Sequence, residues 1–311
     1  MQTQPPRMDV PTFLNFPLCT DLSHLDAHFA ILGIPYGLPY ASGGSPNDQA
    51  NAPAAIRRES SRLSLGLDRW DFDLGGPLFA GRAIRVVDCG DVPADASDPQ
   101  VHYRFAEAAT REILRHRAVP VILGGDHGVT TPVLRAFDAL GPLTLIQVDA
   151  HIDWRDEVNG VREGYSSPMR RASEMAHVAG IYQLGMRAQG SAGPDEVRAA
   201  LAYGAKLFTA DEIHAQGMDF VLEQIPAGGR YYLTIDADGL DPSIMPAVEG
   251  PAAGGLFFHQ VRRLIHGLAH KGTLLGMDIV EIVPARDLNG ISAITAGQLV
   301  LNFIGAVVRS Q

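Results

Sequence analysis

Cysteine is nearly absent from this chain of 311 residues: Cys19 and Cys89 are the only two. Two thiols make neither a disulfide framework nor a thiolate zinc site, and they point to a reducing, cytoplasmic setting. Positive charge is scarce as well. Lys and Arg number 25 against 35 Asp and Glu, for a formal net charge of −10. Phosphate binding needs a basic surface, so the balance argues against nucleic acid or an anionic membrane as the main partner and is compatible with a cationic substrate. The opening "MQTQPPRMDVPTF" lacks the apolar core of a signal peptide. One uncharged stretch, "ISAITAGQLVLNFIGAVV" (291–308), has the length of a membrane span. Ser292, Thr295, Gln298 and Asn302 interrupt it, and Ile294, Leu299, Phe303 and Val307 fall in helical stripes, so it reads as a buried C-terminal helix. There is no internal repeat and no dividing linker. With 46% hydrophobic and 19% charged residues, the chain reads as a single domain over 1–311, with 1–27 as an N-terminal extension.

What is present is an alternation of short apolar runs and amphipathic segments. Strands are expected at 29–35, 83–90, 119–125, 143–150, 181–187, 206–210, 231–238 and 273–281. Helices are expected at 101–117, 129–140, 195–203, 258–270 and 292–309. This rhythm implies an α/β fold, a three-layer αβα arrangement with a mostly parallel central sheet. The Gly/Pro-rich segment 35–53 reads as a long loop between strand and helix, and such loops are often functional.

Polar residues gather at the carboxyl ends of the expected strands, where open α/β sheets bind ligands. His127 follows "VILGGD", "DAHID" (149–153) follows "LTLIQV", Asp236 and Asp238 end "YYLTIDAD", and Glu281 ends "LLGMDIVE". In an extended segment, alternation turns Asp149, His151 and Asp153 to one side. Acids so crowded repel one another unless a cation lies between them. Two imidazoles and four carboxylates exceed the needs of one divalent ion, which points to a pair of ions. An oxygen-rich set with some imidazole suits Mn²⁺ first, with Ni²⁺, Co²⁺ and Zn²⁺ as alternatives. Such a pair can supply a water nucleophile at neutral pH.

The motifs "GGDHG" (124–128), "DAHID" (149–153), "TIDADGLDPSIMP" (234–246) and "GMDIVEIVP" (276–284) resemble those of the ureohydrolases, the arginase and agmatinase family. "LGIPYG" (32–37), "AAIRRES" (54–60) and "VVDCGDV" (86–92) extend the likeness over most of the chain, and the agmatinase-like branch fits better than arginase. The resemblance implies an arginase-like fold and hydrolysis of a guanidino compound to urea and an amine. It assigns His127, Asp149, Asp153 and Asp236 to one metal ion and Asp149, His151, Asp236 and Asp238 to the other, with Asp149 and Asp236 bridging. It gives Glu281 a contact with the guanidinium and Asp153 the transfer of a proton to the departing amine. It also implies a homo-oligomer, a trimer or hexamer, with a sister subunit as an alternative arrangement. Deacetylase-like enzymes on a related fold use a single metal, which the six-residue set disfavours.

The chain departs from the family pattern in its substrate loops. In "GYSSPMRRA", with Pro168 as anchor, Tyr165 takes the place of the usual His. A phenol is a poor proton shuttle near neutrality, so Tyr165 is expected to bind substrate or shape the pocket. In "AVEGP" (247–251), Val248 and Gly250 replace threonines and Glu249 adds a charge, while "SPNDQANAP" (45–53) is altered too. Glu249 is expected to favour cationic or neutral-tailed guanidines over guanidino acids. Agmatine is the default substrate. Guanidine, substituted guanidines, biguanides and guanidino acids are the alternatives, as is a weakly catalytic subunit of a ureohydrolase-like assembly.

Overall fold

The computed structural model describes residues 1–7, 9–37, 40, 48–63, 66–94, 98–190 and 192–310. Residues 38–39 and 41–47 of the 35–53 loop, including the first three of the altered stretch 45–53, therefore lie outside the described residues, which resume at Asp48.

Eight strands form one parallel sheet: β1 (Phe29–Ile34), β2 (Val86–Asp91), β3 (Val119–Gly124), β4 (Leu143–Val148), β5 (Val178–Met186), β6 (Lys206–Thr209), β7 (Arg230–Asp236) and β8 (Thr273–Val280). All eight expected strands are there. Their order across the sheet is β2-β1-β3-β8-β7-β4-β5-β6. Neighbouring residues on one strand feed opposite layers. Ile146 belongs to the core that includes Leu264 and Phe303, whereas Leu145 packs with Tyr103, Ile113 and Val133 on the other face. Burial on both faces is why these strands read as nearly continuous apolar runs.

The helices are α1 (Ala52–Ser60), α2 (Pro99–Arg115), α3 (Thr130–Arg135), α4 (Pro168–Ser173), α5 (Pro194–Tyr203), α6 (Ala210–Gln216), α7 (Met218–Gln224), α8 (Phe258–Lys271) and α9 (Ile291–Ser310). The expected helix at 129–140 is shorter than its pattern. It is α3 flanked by 3-10 turns at His127–Val129 and Asp138–Leu140, and Gly141 at φ 82° ends it. The expected helices do not cover α4, α6 or α7, each of six or seven residues, and the nine-residue α1 is implied only as the helix that follows the 35–53 loop. Helix α9 is long and apolar enough to cross a membrane by length and composition, yet 78% of its most apolar window is buried against the rest of the chain.

The N-terminal residues lie along β2. Gln4 bridges Asp91, Leu18 bridges Asp88, and Phe13 is fully buried. Asp88 and Asp91 also hold the buried Arg57 of α1, at 2.8 and 2.9 Å for Asp88 and 2.5 Å for Asp91. This ion cluster ties α1, and the turn just before it, to the edge of the sheet.

Candidate metal centre

The sheet order puts β3, β8, β7 and β4 side by side. Those four strand ends deliver His127, Glu281, Asp236 with Asp238, and Asp149 with His151 and Asp153 to one rim. Close backbone approach makes the rim dense. A Cβ on Gly239 would stand 2.6 Å from the Asp149 nitrogen, so only glycine lets the β7 and β4 ends meet there.

The polar side chains form two groups that share Asp149: His127, Asp149, Asp153 and Asp236 in one, and Asp149, His151 and Asp238 in the other. The Nδ1 atom of His127 lies 2.8 Å from Asp153 Oδ2, 3.1 Å from Asp236 Oδ2 and 3.2 Å from Asp149 Oδ2. The Nδ1 atom of His151 lies 3.4 Å from Asp149 Oδ1 and 3.2 Å from Asp238 Oδ2. The two oxygens of Asp149 thus face two different imidazoles. Asp236 behaves differently: its Oδ1 accepts the Asp238 backbone N–H at 2.9 Å, and it takes part in the His127 group alone.

The donor set fits metal ions. Nε2 of His127 lies 2.9 Å from Thr234 Oγ1, and that hydroxyl donates to Asp278 Oδ1 at 2.5 Å. The network therefore places the ring proton on Nε2 and leaves Nδ1 bare. Nδ1 is buried, makes no hydrogen bond of acceptable geometry, and faces three carboxylate oxygens. Lone pairs converging at that distance need a cation, either a proton or a metal ion, between them. Tyr232 and Thr130 donate to the other Asp278 oxygen at 2.9 and 3.0 Å, which holds the relay in place. Gln147 Nε2 donates to Asp149 Oδ2 at 2.6 Å and is itself oriented by Gln183.

Without a metal, protons must do the neutralising. Burial opposes a charged His127, but the contacts with Asp149, Asp153 and Asp236 outweigh it and raise its pKa well above normal. Contacts with Asp149 and Asp238 push His151 up to about 12. Burial, then the Asp149 charge, pushes Asp153 up to about 7. Burial and the Asp238 and Asp149 charges push Asp236 up, and burial with Asp149 does the same to Asp238. Burial of Asp149 works in the same direction but is overcome by the two imidazoles, which hold it below the usual carboxylate range.

Beside this cluster opens a cavity of ≈ 240 Å³ lined by Gln49, His151, Asp153, Tyr165, Ser166, Asp236, Asp238, Glu249, Gly250 and Glu281. Glu281 Oε1 accepts the backbone N–H of His127 at 2.7 Å, and burial pushes its pKa up to about 7. Asp153 and Glu281 both hold positive φ, 48° and 66°. Each such position costs about 1–3 kcal/mol and turns the side chain where regular strand geometry would not. Tyr165 packs edge-on against Tyr40 at 4.5 Å, and Tyr40 Oη accepts the Ser166 N–H at 3.1 Å. Burial, with Tyr40 next in effect, pushes the Tyr165 phenol up to about 12.

Glu249 reaches the cavity but is not a free anion. Its Oε2 lies 3.1 Å from Arg286 Nη1, which also donates to the carbonyls of Val248 and Glu249. Gln49, Thr234, Asp278, Gln147 and Arg187 were not singled out from the sequence. Thr234 precedes Asp236 by two, and Gln147 precedes Asp149 by two, so the strand alternation already carried that signal. Arg187 carried none: its guanidinium binds backbone carbonyls of Asp238 at 2.5 Å and Ala252 at 2.8 Å, fixing the chain behind the ligand strand. Asp126 and Asp241 are turn residues, accepting from Gly128 and from Ser243, Gly254 and Gly255.

Comparison with known proteins agrees with this architecture. Residues 27–305 match the model of the arginase family. The chain is 32% identical to an N(1)-aminopropylagmatine ureohydrolase of Thermus thermophilus, covering 92% of both chains. It is 30% identical to an agmatinase of Photorhabdus laumondii, covering 94% of this chain and 91% of that one. Its fold superposes on the proclavaminate amidino hydrolase of Streptomyces clavuligerus with a TM-score of 0.85 at 27% identity, over 99% of this chain and all of the other. With those motifs on an eight-stranded parallel sheet, the chain belongs to the arginase family, in its agmatinase-like branch, and is a metal-dependent ureohydrolase.

Proposed function

We propose that the protein hydrolyses a guanidino compound to urea and an amine at a pair of divalent ions. The observation that carries this reading is the split of Asp149, whose two carboxylate oxygens face His127 and His151 separately. His127, Asp149, Asp153 and Asp236 would hold one ion, and Asp149, His151 and Asp238 the other, to which the family resemblance adds Asp236 as a second bridge. Mn²⁺ suits this oxygen-rich set, with Ni²⁺, Co²⁺ and Zn²⁺ as competitors. When bound, the ions supply a water nucleophile at neutral pH.

The chain's own residues supply the rest. Glu281, anchored by the His127 backbone, accepts guanidinium N–H groups and sets the carbon beside the cluster. Asp153, at the cavity wall, would pass a proton on to the departing nitrogen. Tyr165, a phenol that stays protonated, donates a hydrogen bond and excludes water. Among the described residues no Lys or Arg lines the cavity, and Arg286 is already occupied by Glu249 and two carbonyls. A substrate carboxylate would find no cationic partner among the described lining residues, which supports preference for agmatine-like or other cationic and neutral-tailed guanidines over guanidino acids. Free guanidine, substituted guanidines and biguanides satisfy the same constraint. The free thiols Cys19 and Cys89 support a cytoplasmic setting. We read the chain as one domain, residues 1–27 being an extension of it, working as a homo-oligomer.

The test is a urea-release screen over guanidino compounds of cationic, neutral and acidic tail, with protein loaded separately with Mn²⁺ and Ni²⁺. Urea release from a cationic or neutral-tailed compound supports the reading. Higher kcat/KM for the guanidino acids removes the proposed selectivity, and no urea from any compound removes the activity.

A further inference from the structure

Gln49 is buried, with 1% of its surface exposed, yet it lines the cavity. Its Nε2 donates to Glu281 Oε2 at 3.0 Å. The reverse orientation of the amide would set its carbonyl against a carboxylate, so the network fixes Oε1 on the side away from Glu281. That oxygen is buried, and no described group donates to it. The turn that carries this side chain is itself held. Gln49 belongs to the 3-10 turn Asp48–Asn51, in which Asp48 accepts from the backbone of Ala285 and from Asn51 Nδ2, the latter at 2.8 Å. The turn is thereby pinned four residues beyond Glu281 itself.

We infer that Gln49 is a substrate-binding residue, whose Oε1 accepts an N–H of the guanidino group while its Nε2 fixes Glu281. A guanidinium presents N–H donors around a plane and no acceptor. A buried carbonyl and a buried carboxylate joined by one hydrogen bond form an acceptor pair for two of its edges. A carbonyl with an unused lone pair has the same attraction for substrate as for the intermediate that follows, so its removal acts on KM more than on kcat. The inference rests on the proposed guanidine hydrolysis and adds a specificity element: substrates lacking an N–H at that edge are rejected, because the buried oxygen is then left unpaired.

The test compares wild type, Gln49→Met and Gln49→Glu, all loaded with metal, on a guanidino substrate and its N-methylated analogues. Metal content and melting temperature are measured alongside. Gln49→Met should raise KM about tenfold or more, change kcat by less than about threefold, and narrow the wild-type preference for the unmethylated compound. Gln49→Glu can share a proton with Glu281 and still offer an acceptor oxygen, so it should keep that preference. If Gln49→Met is poorly folded, the Gln49→Glu comparison stands alone, and loss of the preference there overturns the inference. Unchanged KM and an unchanged methyl preference in Gln49→Met overturn it while urea release by wild type upholds the activity. Absence of urea release by wild type removes both.

Discussion

His127 and Thr234 meet through Nε2 and Oγ1 at 2.9 Å, beneath the carboxylate cluster and fully out of solvent. Thr234, on β7, passes the contact on to Asp278 on β8, the strand beside the β3 that leads to His127. The relay holds the imidazole with its bare nitrogen toward the acids. Thr234→Val keeps the shape and removes the hydroxyl. We expect metal affinity to fall about 10–100-fold with little change in melting temperature of the metal-free protein. Equal affinity in a competitive chelator titration would show that the relay does not orient His127.

Metal binding should release protons. In the metal-free protein the neighbouring carboxylates shift both imidazoles upward, which favours their protonated forms. Asp153, at about 7, carries part of a proton as well. Ions bind the deprotonated ligands, so apparent affinity rises with pH, by about tenfold per pH unit for each proton displaced per ion. Calorimetry in two buffers of different ionisation enthalpy reads the number directly. Proton uptake, or none, would contradict the assignment of these residues as ligands.

Tyr165 should not act as a base. Its phenol is pushed up to about 12, so it is protonated across the working range and serves as donor and wall. Tyr165→Phe is expected to leave the shape of the pH–rate profile unchanged and to change kcat/KM about tenfold or less. Loss of one limb of the profile in that variant would give Tyr165 a proton-transfer role.

Arg57 tests the frame. It is fully buried between Asp88 and Asp91, and burial pushes the Asp91 pKa up despite the guanidinium. Arg57→Met strands two acids without their partner and should cost about 3–5 kcal/mol in chemical denaturation. Because α1 continues the turn that carries Gln49, partial loss of substrate affinity should accompany it. A loss below about 1 kcal/mol would mean the cluster is not a structural anchor.

The sheet was legible because strands buried on both faces must be apolar on both faces, and charge appears at the end of β7 and within two residues of the ends of β3, β4 and β8. "DAHID" and "DAD" were legible as acids crowded at strand ends, although β4 stops at Val148, Asp153 is turned by its φ of 48° and Asp238 lies in the 3-10 turn Ala237–Gly239, so extended alternation is not what places them. Gln49 was not, because nothing in "NDQANAP" signals that one amide folds inward to meet Glu281, 232 positions away. The Glu249–Arg286 pair was hidden for a similar reason: it depends on a turn after β8 packing against the 247–250 loop. Sequence reading treated Glu249 as a free charge, and the structure pairs it. The short helices α4, α6 and α7 span too few turns to show a hydrophobic period.

The most direct measurement is a titration of metal-free protein with Mn²⁺, following bound metal per chain and urea release from a responsive guanidino substrate together. The account predicts that activity is completed only as the second ion binds, and that Asp149→Asn, which alters the carboxylate shared by both groups, loses metal and most of the activity together. Full activity at one ion per chain, or near-wild-type turnover and metal content in Asp149→Asn, would contradict it.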